Sequence, residues 1–394
     1  MTQYLSCSVT FCYLLLKPKI IMKKVFTTAF AAMALSMAYA EENPTKPEDT
    51  KNPLTFSGYL DTYFFLNSNR TKSNLGASGF ERIFDQHANS FQLGLAQLKS
   101  TYSTGKVTGV LDLVFGNHAD LANYGNLLSP LGGSGSALAL KQAYVSYQMS
   151  DKWSITAGQF GTNVGYEVID APVNFNYSLS NLFGNGPFYH TGVKLQYSPS
   201  DKVGLMVGLN NGLDSKDDNN SSKGAMAQLF LAPKEGLSIY LNWFGSNEAS
   251  DGSTKDYFRV YDITATYQAT DKTLLGLNAA SGHNAAGGWS GAAVYAQQSL
   301  TPKFGLGVRM EYFDNSSGAI YLTKGEGIND SPIGVSVTSS TLTGNLKLGD
   351  NLLFKPEIRY DAYSKTNGVS QFTNKEGVGV DSQATYGGAF IFYF

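Results

Sequence analysis

From Leu54 to the last residue, apolar and polar positions alternate with a period of two in short segments, the pattern of strands whose two faces meet different surroundings. The last segment is the clearest: Tyr386, Gly388, Phe390, Phe392 and Phe394 share one parity, and Gln383, Thr385, Gly387 and Ala389 the other. In the segment before it, Phe354, Pro356, Ile358 and Tyr360 oppose Lys355, Glu357, Arg359 and Asp361. Similarly, Leu306, Val308, Met310 and Tyr312 oppose Arg309 and Glu311, and Val193, Leu195 and Tyr197 oppose Lys194 and Gln196. Charges at period two cannot face lipid, where Arg or Lys at the bilayer midplane costs about 2 to 4 kcal/mol each. The pattern therefore predicts an apolar outside and a polar lumen carrying both signs, with Lys347 on the same inward parity.

Connections of two lengths alternate along the chain. Short ones fall at Thr104-Gly105-Lys106, Ser150-Asp151-Lys152, Pro199 to Lys202, Pro233 to Gly236, Thr270-Asp271-Lys272, Thr301-Pro302-Lys303 and Gly349-Asp350-Asn351, where Gly, Pro and Asp supply turn chemistry. Long, polar, Gly/Asn-rich ones fall at about 68–88, 116–136, 163–187, 212–222, 246–256, 281–287, 314–333 and 364–381. Outer-membrane barrels place short turns in the periplasm and long loops outside. Seven turns and eight loops predict an all-β, antiparallel transmembrane barrel of sixteen strands, 14 to 18 being compatible with the boundaries. Two segments depart from the pattern. Leu98 and Lys99 reverse the parity of Phe91, Leu93 and Leu95, as a bulge or emergence from the membrane would, and Arg259 shares a parity with Tyr261 and Ile263, which fits only the membrane's outer edge. Tyr59, Tyr63 and Phe65 lie on one face of the first strand, which is compatible with a channel for hydrophobic substrates, but they are expected to be girdle residues or strand-pair packing.

The ends agree with export. Lys23-Lys24, Val25 to Met37 and Ala38-Tyr39-Ala40 read as the three parts of a signal peptide spanning residues 1–40, in which 1–21 are a misassigned upstream start or an unusually long n-region. Residues 41–53, polar and Pro-rich, read as a periplasmic linker, and 54–394 as the barrel. The terminal Tyr386, Phe390, Phe392 and Phe394 resemble the C-terminal signal of bacterial outer-membrane proteins that the barrel-assembly machinery reads. Removing 1–40 takes away four lysines, no acid and both cysteines, Cys7 and Cys12, so the formal charge moves from -2 to -6 and no disulfide or thiolate metal site remains. Nucleic acid is then an unsuitable partner. After residue 40 no apolar run reaches the roughly 18 residues of a spanning helix.

Several stretches carry a family resemblance: Ser57 to Asp61, Phe84-Asp85, Asn89 to Phe91, Gln142 to Val145, Gly158 to Phe160, Gly165 to Glu167, Asn176 to Ser178, Leu182-Phe183, Pro187, His190 to Gly192 and Asn211 to Asp214 with Asp217 to Asn220. Together they resemble the OmpL-like β-barrel porin family of Gram-negative outer membranes, most densely between residues 57 and 220. The resemblance implies a porin, without catalytic residues, cofactor or an agreed substrate. Where an aromatic would follow Asn211-Gly212, this chain has Leu213.

Two functional classes fit: a passive diffusion channel for small hydrophilic solutes, and a closed structural or surface-interaction barrel whose loops bind a partner. Lipid and lipopolysaccharide would surround either, and similarity to sixteen-stranded porins implies a homotrimer. An enzyme is not expected, because His87, His118, His190 and His283 stand without a G-x-S-x-G elbow or an H-E-x-x-H pair. His190 is expected to bond a neighbouring loop. Asp214, Asp217 and Asp218 crowd oxygen ligands as Ca²⁺ prefers, but their spacing matches no EF-hand, and a solvated loop tip is the expectation. The third long loop, Asn163 to Pro187, is long and apolar, with Val164, Val168, Ile169, Val173, Phe175, Leu179, Leu182 and Phe183. Such a loop either folds back against an inner wall, the expectation here, or packs outward on a neighbouring subunit, since both remove its apolar residues from water. Glu167, Asp170, Phe175, Tyr177 and Phe183 are therefore the candidate constriction residues, with Glu167 and Asp170 turned towards Arg309 and Arg359. The lumen charges Lys194, Arg309, Glu311, Lys347, Lys355, Glu357, Arg359 and Asp361 mix signs, which predicts weak ion selectivity.

Overall fold

The structure, a computed structural model, describes residues 53–122, 139–320, 322–326, 332–365 and 369–394. The expected signal peptide, the linker up to residue 52 and parts of the second, seventh and eighth loops lie outside the described residues.

Strands β1 (Leu54–Asn67), β2 (Gln92–Thr104), β3 (Val107–Phe115), β4 (Leu140–Ser150), β5 (Trp153–Gly161), β6 (Tyr189–Ser200), β7 (Val203–Asn210) and β8 (Gly224–Lys234) form one half of a barrel. The other half consists of β9 (Leu237–Asn247), β10 (Tyr257–Thr270), β11 (Thr273–Asn284), β12 (Gly287–Thr301), β13 (Phe304–Asp314), β14 (Ser336–Lys347), β15 (Leu352–Tyr363) and β16 (Ser382–Tyr393). Each strand pairs with its neighbours in sequence, and β16 closes the ring on β1, with Thr62 opposite Phe390 and Tyr63 opposite Ala389. The sheet has no free edge, so every strand's backbone groups are satisfied within it, as the hydrocarbon requires. All seven expected turns are present. A short hairpin (Thr323–Glu326 with Pro332–Gly334) lies in the seventh loop and another (Phe372–Thr373 with Gly379–Val380) in the eighth.

The sixth connection is not a long loop. Asn284 pairs with Gly287, and only Ala285 and Ala286 lie between the strands. The Gly-rich stretch taken for a loop continues the strand because Gly282, opposite Trp289, leaves room for the indole. The Asn284 side chain then accepts from Ala286 N–H at 3.0 Å and tightens the bend.

The parity change in β2 is a bulge. The register against β1 shifts between Leu60 and Thr62, and Leu95 turns inward and is buried while Leu93 and Leu98 face out. Gly94 is required there, since a Cβ would collide with the Asp61 carboxylate. Arg259 lies near the outer end of β10, exposed, its guanidinium 5.6 Å from the Tyr257 ring centre.

Outward positions are apolar and exposed, including Phe390 at 49% and Phe392 at 47%. Inside, the expectation of a polar wall holds only in part. Phe160, Phe244, Phe258, Trp289 and Phe313 cluster within the barrel towards the long-loop end, and a second cluster holds Tyr59, Tyr63, Phe65 and Tyr177. Tyr59, Tyr63 and Phe65 are thus not girdle residues. They share their parity with buried Asp61 and point inward.

Candidate constriction site

The third long loop, running from Thr162 to Phe188 between β5 and β6, enters the lumen and spans it. Its apolar residues drive the entry: Val164, Leu179 and Leu182 are buried, whereas Val173 remains exposed. Near its end it makes one helical turn, Asn181–Gly184, capped by Ser180, whose Oγ accepts from Phe183 N–H at 3.1 Å. A loop buried this way must find partners for its peptide groups, and wall charges provide them.

On β13, Glu311 accepts from the N–H groups of Asn181 at 3.0 Å and Leu182 at 2.8 Å, at the positive end of that turn. On β15, Glu357 accepts from Tyr177 N–H at 2.7 Å, Ser178 N–H at 3.0 Å and the Thr343 hydroxyl at 2.6 Å. Cations on the same strands hold the carbonyls. Arg309 donates to Ser178 O at 2.6 Å, Arg359 to Leu179 O at 2.6 Å, and Lys355 to Ala171 O at 2.7 Å and to Asn174 O. The alternating signs read from β13 and β15 therefore match the alternating donors and acceptors of a peptide chain laid against them.

Charge pairs reinforce the seam. Glu167 meets Arg309 at 2.5 Å and accepts from Ser180 N–H at 2.8 Å. Asp170 does not face Arg309 or Arg359; it pairs with Lys141 of β4, which also lies 3.8 Å from Asp112. Arg359 instead meets Asp361 at 2.8 Å, and Asp361 also receives Arg82 of the first loop at 2.9 Å. At the opposite wall, Asp262 accepts from Gly165 N–H at 3.1 Å and from the amides of Asn242 at 2.7 Å and Asn278 at 2.5 Å.

Aromatic side chains of the loop sit on inward glycines. A Cβ on Gly307 would overlap the Phe175 ring, and one on Gly276 the Tyr166 ring, which stacks on Tyr295 at 4.2 Å. Tyr177 donates to Asp61 at 3.0 Å and lies 5.8 Å from Phe65, and Phe183 packs edge-on against Phe84 of the first loop at 6.0 Å. All five candidate constriction residues thus belong to one inward loop.

Of the candidate lumen charges, Lys194, Arg309, Glu311, Lys355, Glu357, Arg359 and Asp361 are inside and almost inaccessible. Lys347 is a correction: it sits at the end of β14 beside a short turn, exposed. Lys194 lies 4.6 Å from the Phe160 ring centre. The sequence reading missed Lys141 and the inward glycines as loop partners; the signal for the glycines was their parity, the same as Arg309 and Asn278. His190 bonds Thr162 of the loop at 3.1 Å, as expected of it. His118 stacks on Phe84 at 4.7 Å.

The three acidic residues weighed for Ca²⁺ do not converge. The Asp214 carboxylate is turned into the loop and accepts from Phe188 N–H at 2.6 Å and Tyr189 N–H at 3.1 Å, while Asp218 pairs with Lys223. Burial pushes the Asp214 carboxyl up to about 7 despite its two donors.

A family model described as "Putative beta-barrel porin-2, OmpL-like" matches residues 53–394. No curated protein matches the chain in sequence. Solved structures share the fold: an anion-selective porin from Comamonas acidovorans (12% identity, TM-score 0.56, covering 86% of this chain and 99% of that one). Others are Salmonella typhi OmpF in complex with daunomycin (14%, 0.56, 86% and 98%) and the trimer form of Vibrio cholerae OmpT (13%, 0.53, 86% and 99%).

Proposed function

The chain belongs to the OmpL-like beta-barrel porin-2 family of outer-membrane barrels, and from that premise we propose that it is a passive diffusion channel for small hydrophilic solutes, narrowed by its third loop. The observation that carries this reading is the seam between loop and wall. Glu167, bonded to Arg309, and the Glu311 and Glu357 carboxylates bonded to loop N–H groups hold a membrane-depth loop across the lumen. A solute must pass the remaining gap, bordered by Glu167, Asp170, Phe175, Tyr177 and Phe183 on the loop.

The family match supports a channel rather than an enzyme. Export follows the general secretory route, with cleavage of residues 1–40 ahead of the linker 41–53, and the aromatic end of β16 delivers the chain to the barrel-assembly machinery. Lipopolysaccharide surrounds the outer rim. Assembly as a homotrimer is supported by the trimer form of one structural neighbour.

A closed barrel whose loops bind a partner is the second reading. It is favoured by the burial of Arg309, Lys355, Arg359 and Asp361, which face the loop rather than open water. Planar-bilayer recording of the purified protein separates the two. Discrete ohmic steps are expected of a channel, in groups of three for a trimer, and silence over repeated reconstitution would favour the closed barrel.

A further inference from the structure

All seven short turns carry a lysine at or beside the bend: Lys106, Lys152, Lys202, Lys234, Lys272, Lys303 and Lys347, every one exposed. Turn chemistry accounts for Gly105, Asp151, Asp201, Gly236, Asp271 and Pro302, which supply unusual φ, local side-chain bonds or a fixed φ. It does not call for a cation at every bend.

The backbone at five of these lysines is fixed, while all seven side chains are exposed. The carbonyls of Lys106, Lys152, Lys202, Lys272 and Lys303 accept from the N–H groups of Gln148, Ser198, Ala232, Ser299 and Lys347, each at 2.8 Å. The turns are thus laced to one another through their backbones.

Lys106 donates to the Met149 carbonyl at 3.3 Å on the neighbouring strand, and the other contact is on the lipid side. Lys234 places its ammonium 4.2 Å from the ring centre of Tyr267, an outward residue of β10. Outward aromatics crowd the same end: Tyr102, Tyr147 and Trp153 are exposed, and Trp153 stacks on Tyr197 at 4.3 Å. Aromatic rings at this height mark the headgroup level of the bilayer. Asp151, Asp201, Glu235, Asp271 and Asp350 share the rim, so its net charge is small. Reach decides the outcome: a lysine stem extends along the apolar surface to bring its charge to the interface, which a short Asp at the bend cannot do.

We propose that the lysine ring and the aromatic girdle beside it form a binding belt for the phosphate of anionic phospholipids in the periplasmic leaflet. The belt offers ammonium donors to the phosphate and rings to the glycerol and upper acyl region, and it fixes the depth of the barrel in the membrane.

The test uses Trp153, which follows Lys152, as reporter. In a chain carrying Trp243→Phe and Trp289→Phe it is the remaining tryptophan. Quenching is compared in bilayers containing brominated phosphatidylglycerol or brominated phosphatidylcholine. We expect phosphatidylglycerol to be preferred roughly three- to tenfold at low salt, consistent with one or two lysines engaged per lipid. The preference should disappear in Lys106→Gln, Lys152→Gln, Lys202→Gln. Equal quenching by both lipids at low salt, or a preference that survives the glutamine substitutions, overturns the proposal. Should the tryptophan variants fail to fold, native mass spectrometry of the unsubstituted chain gives the same comparison, and equal retention of the two lipids counts against the belt. Sedimentation with peptidoglycan sacculi that depends on the lysines, without a lipid preference, would also overturn it and assign the ring to the cell wall.

Discussion

Arg309, Glu311, Lys355, Glu357 and Arg359 each have a backbone or side-chain partner in the third loop, so the loop's position rests on individual residues. Glu167 is the most exacting, since it bonds both Arg309 and the Ser180 N–H. Glu167→Gln keeps the shape but leaves a buried guanidinium without its counter-charge, a loss of about 3–5 kcal/mol for a buried pair broken on one side. The barrel should still assemble as a heat-resistant species, while the third loop becomes cleavable by added protease. An unchanged protease pattern would show that the pair does not hold the loop. Asp214 makes a prediction about pH. Its carboxyl is raised to about 7 in the native loop against an ordinary value near 4. Between those values the native state binds more protons than the unfolded one, so stability falls as pH rises through the window and the contribution is lost above 7. Thermal unfolding should come about 2–4 °C lower at pH 8.5 than at pH 5.5, and Asp214→Asn should flatten that difference. A pH response left intact by Asp214→Asn would refute the assignment.

The third loop behaves as an element with two docking faces. Its apolar residues fill the wall's inward glycines, and its peptide groups satisfy the wall charges. Deleting Phe175 to Leu182 removes the helical turn's start and the segment facing Glu357 and Arg359. It leaves the strands, turns and barrel closure untouched, so heat-resistant assembly is expected to persist. Single-channel conductance should rise, by about twofold or more if this segment sets the narrowest point, and larger neutral sugars should enter in liposome swelling. Unchanged conductance in the folded deletion would move the constriction elsewhere. The bulge in β2 belongs to the same scale: one extra residue at Gly94 and Leu95 turns Leu95 inward, and the strand below keeps its lipid-facing parity. Period-two reading detected that shift through Leu98 and Lys99 but not its location, because a bulge inverts parity without changing composition.

At the scale of the molecule, the interior charges nearly cancel. Among the described residues seven buried Lys and Arg stand against ten buried Asp and Glu, and salt screens what remains over about 8 Å. The reversal potential in a salt gradient should therefore indicate a mild cation preference, roughly two- to threefold; a value near the ideal for either ion would contradict that. The closed sixteen-stranded ring, the seven turns and the lipid face of Tyr386, Phe390 and Phe392 were legible from the chain alone. A barrel strand reports its two environments locally, residue by residue, through alternation. The inward glycines, the exposed position of Lys347, the pairing of Asp170 with Lys141 and the two-residue sixth connection were not legible. Each depends on which strand lies opposite and at what height, and register across a closed sheet is a property of the whole ring. The sequence by itself determined which side of each strand meets lipid, because a charge in hydrocarbon is costly wherever it sits. Only the tertiary structure decided which charge meets which loop atom, because those partners lie more than a hundred residues apart and are brought together by closure and by the inward fold of the third loop.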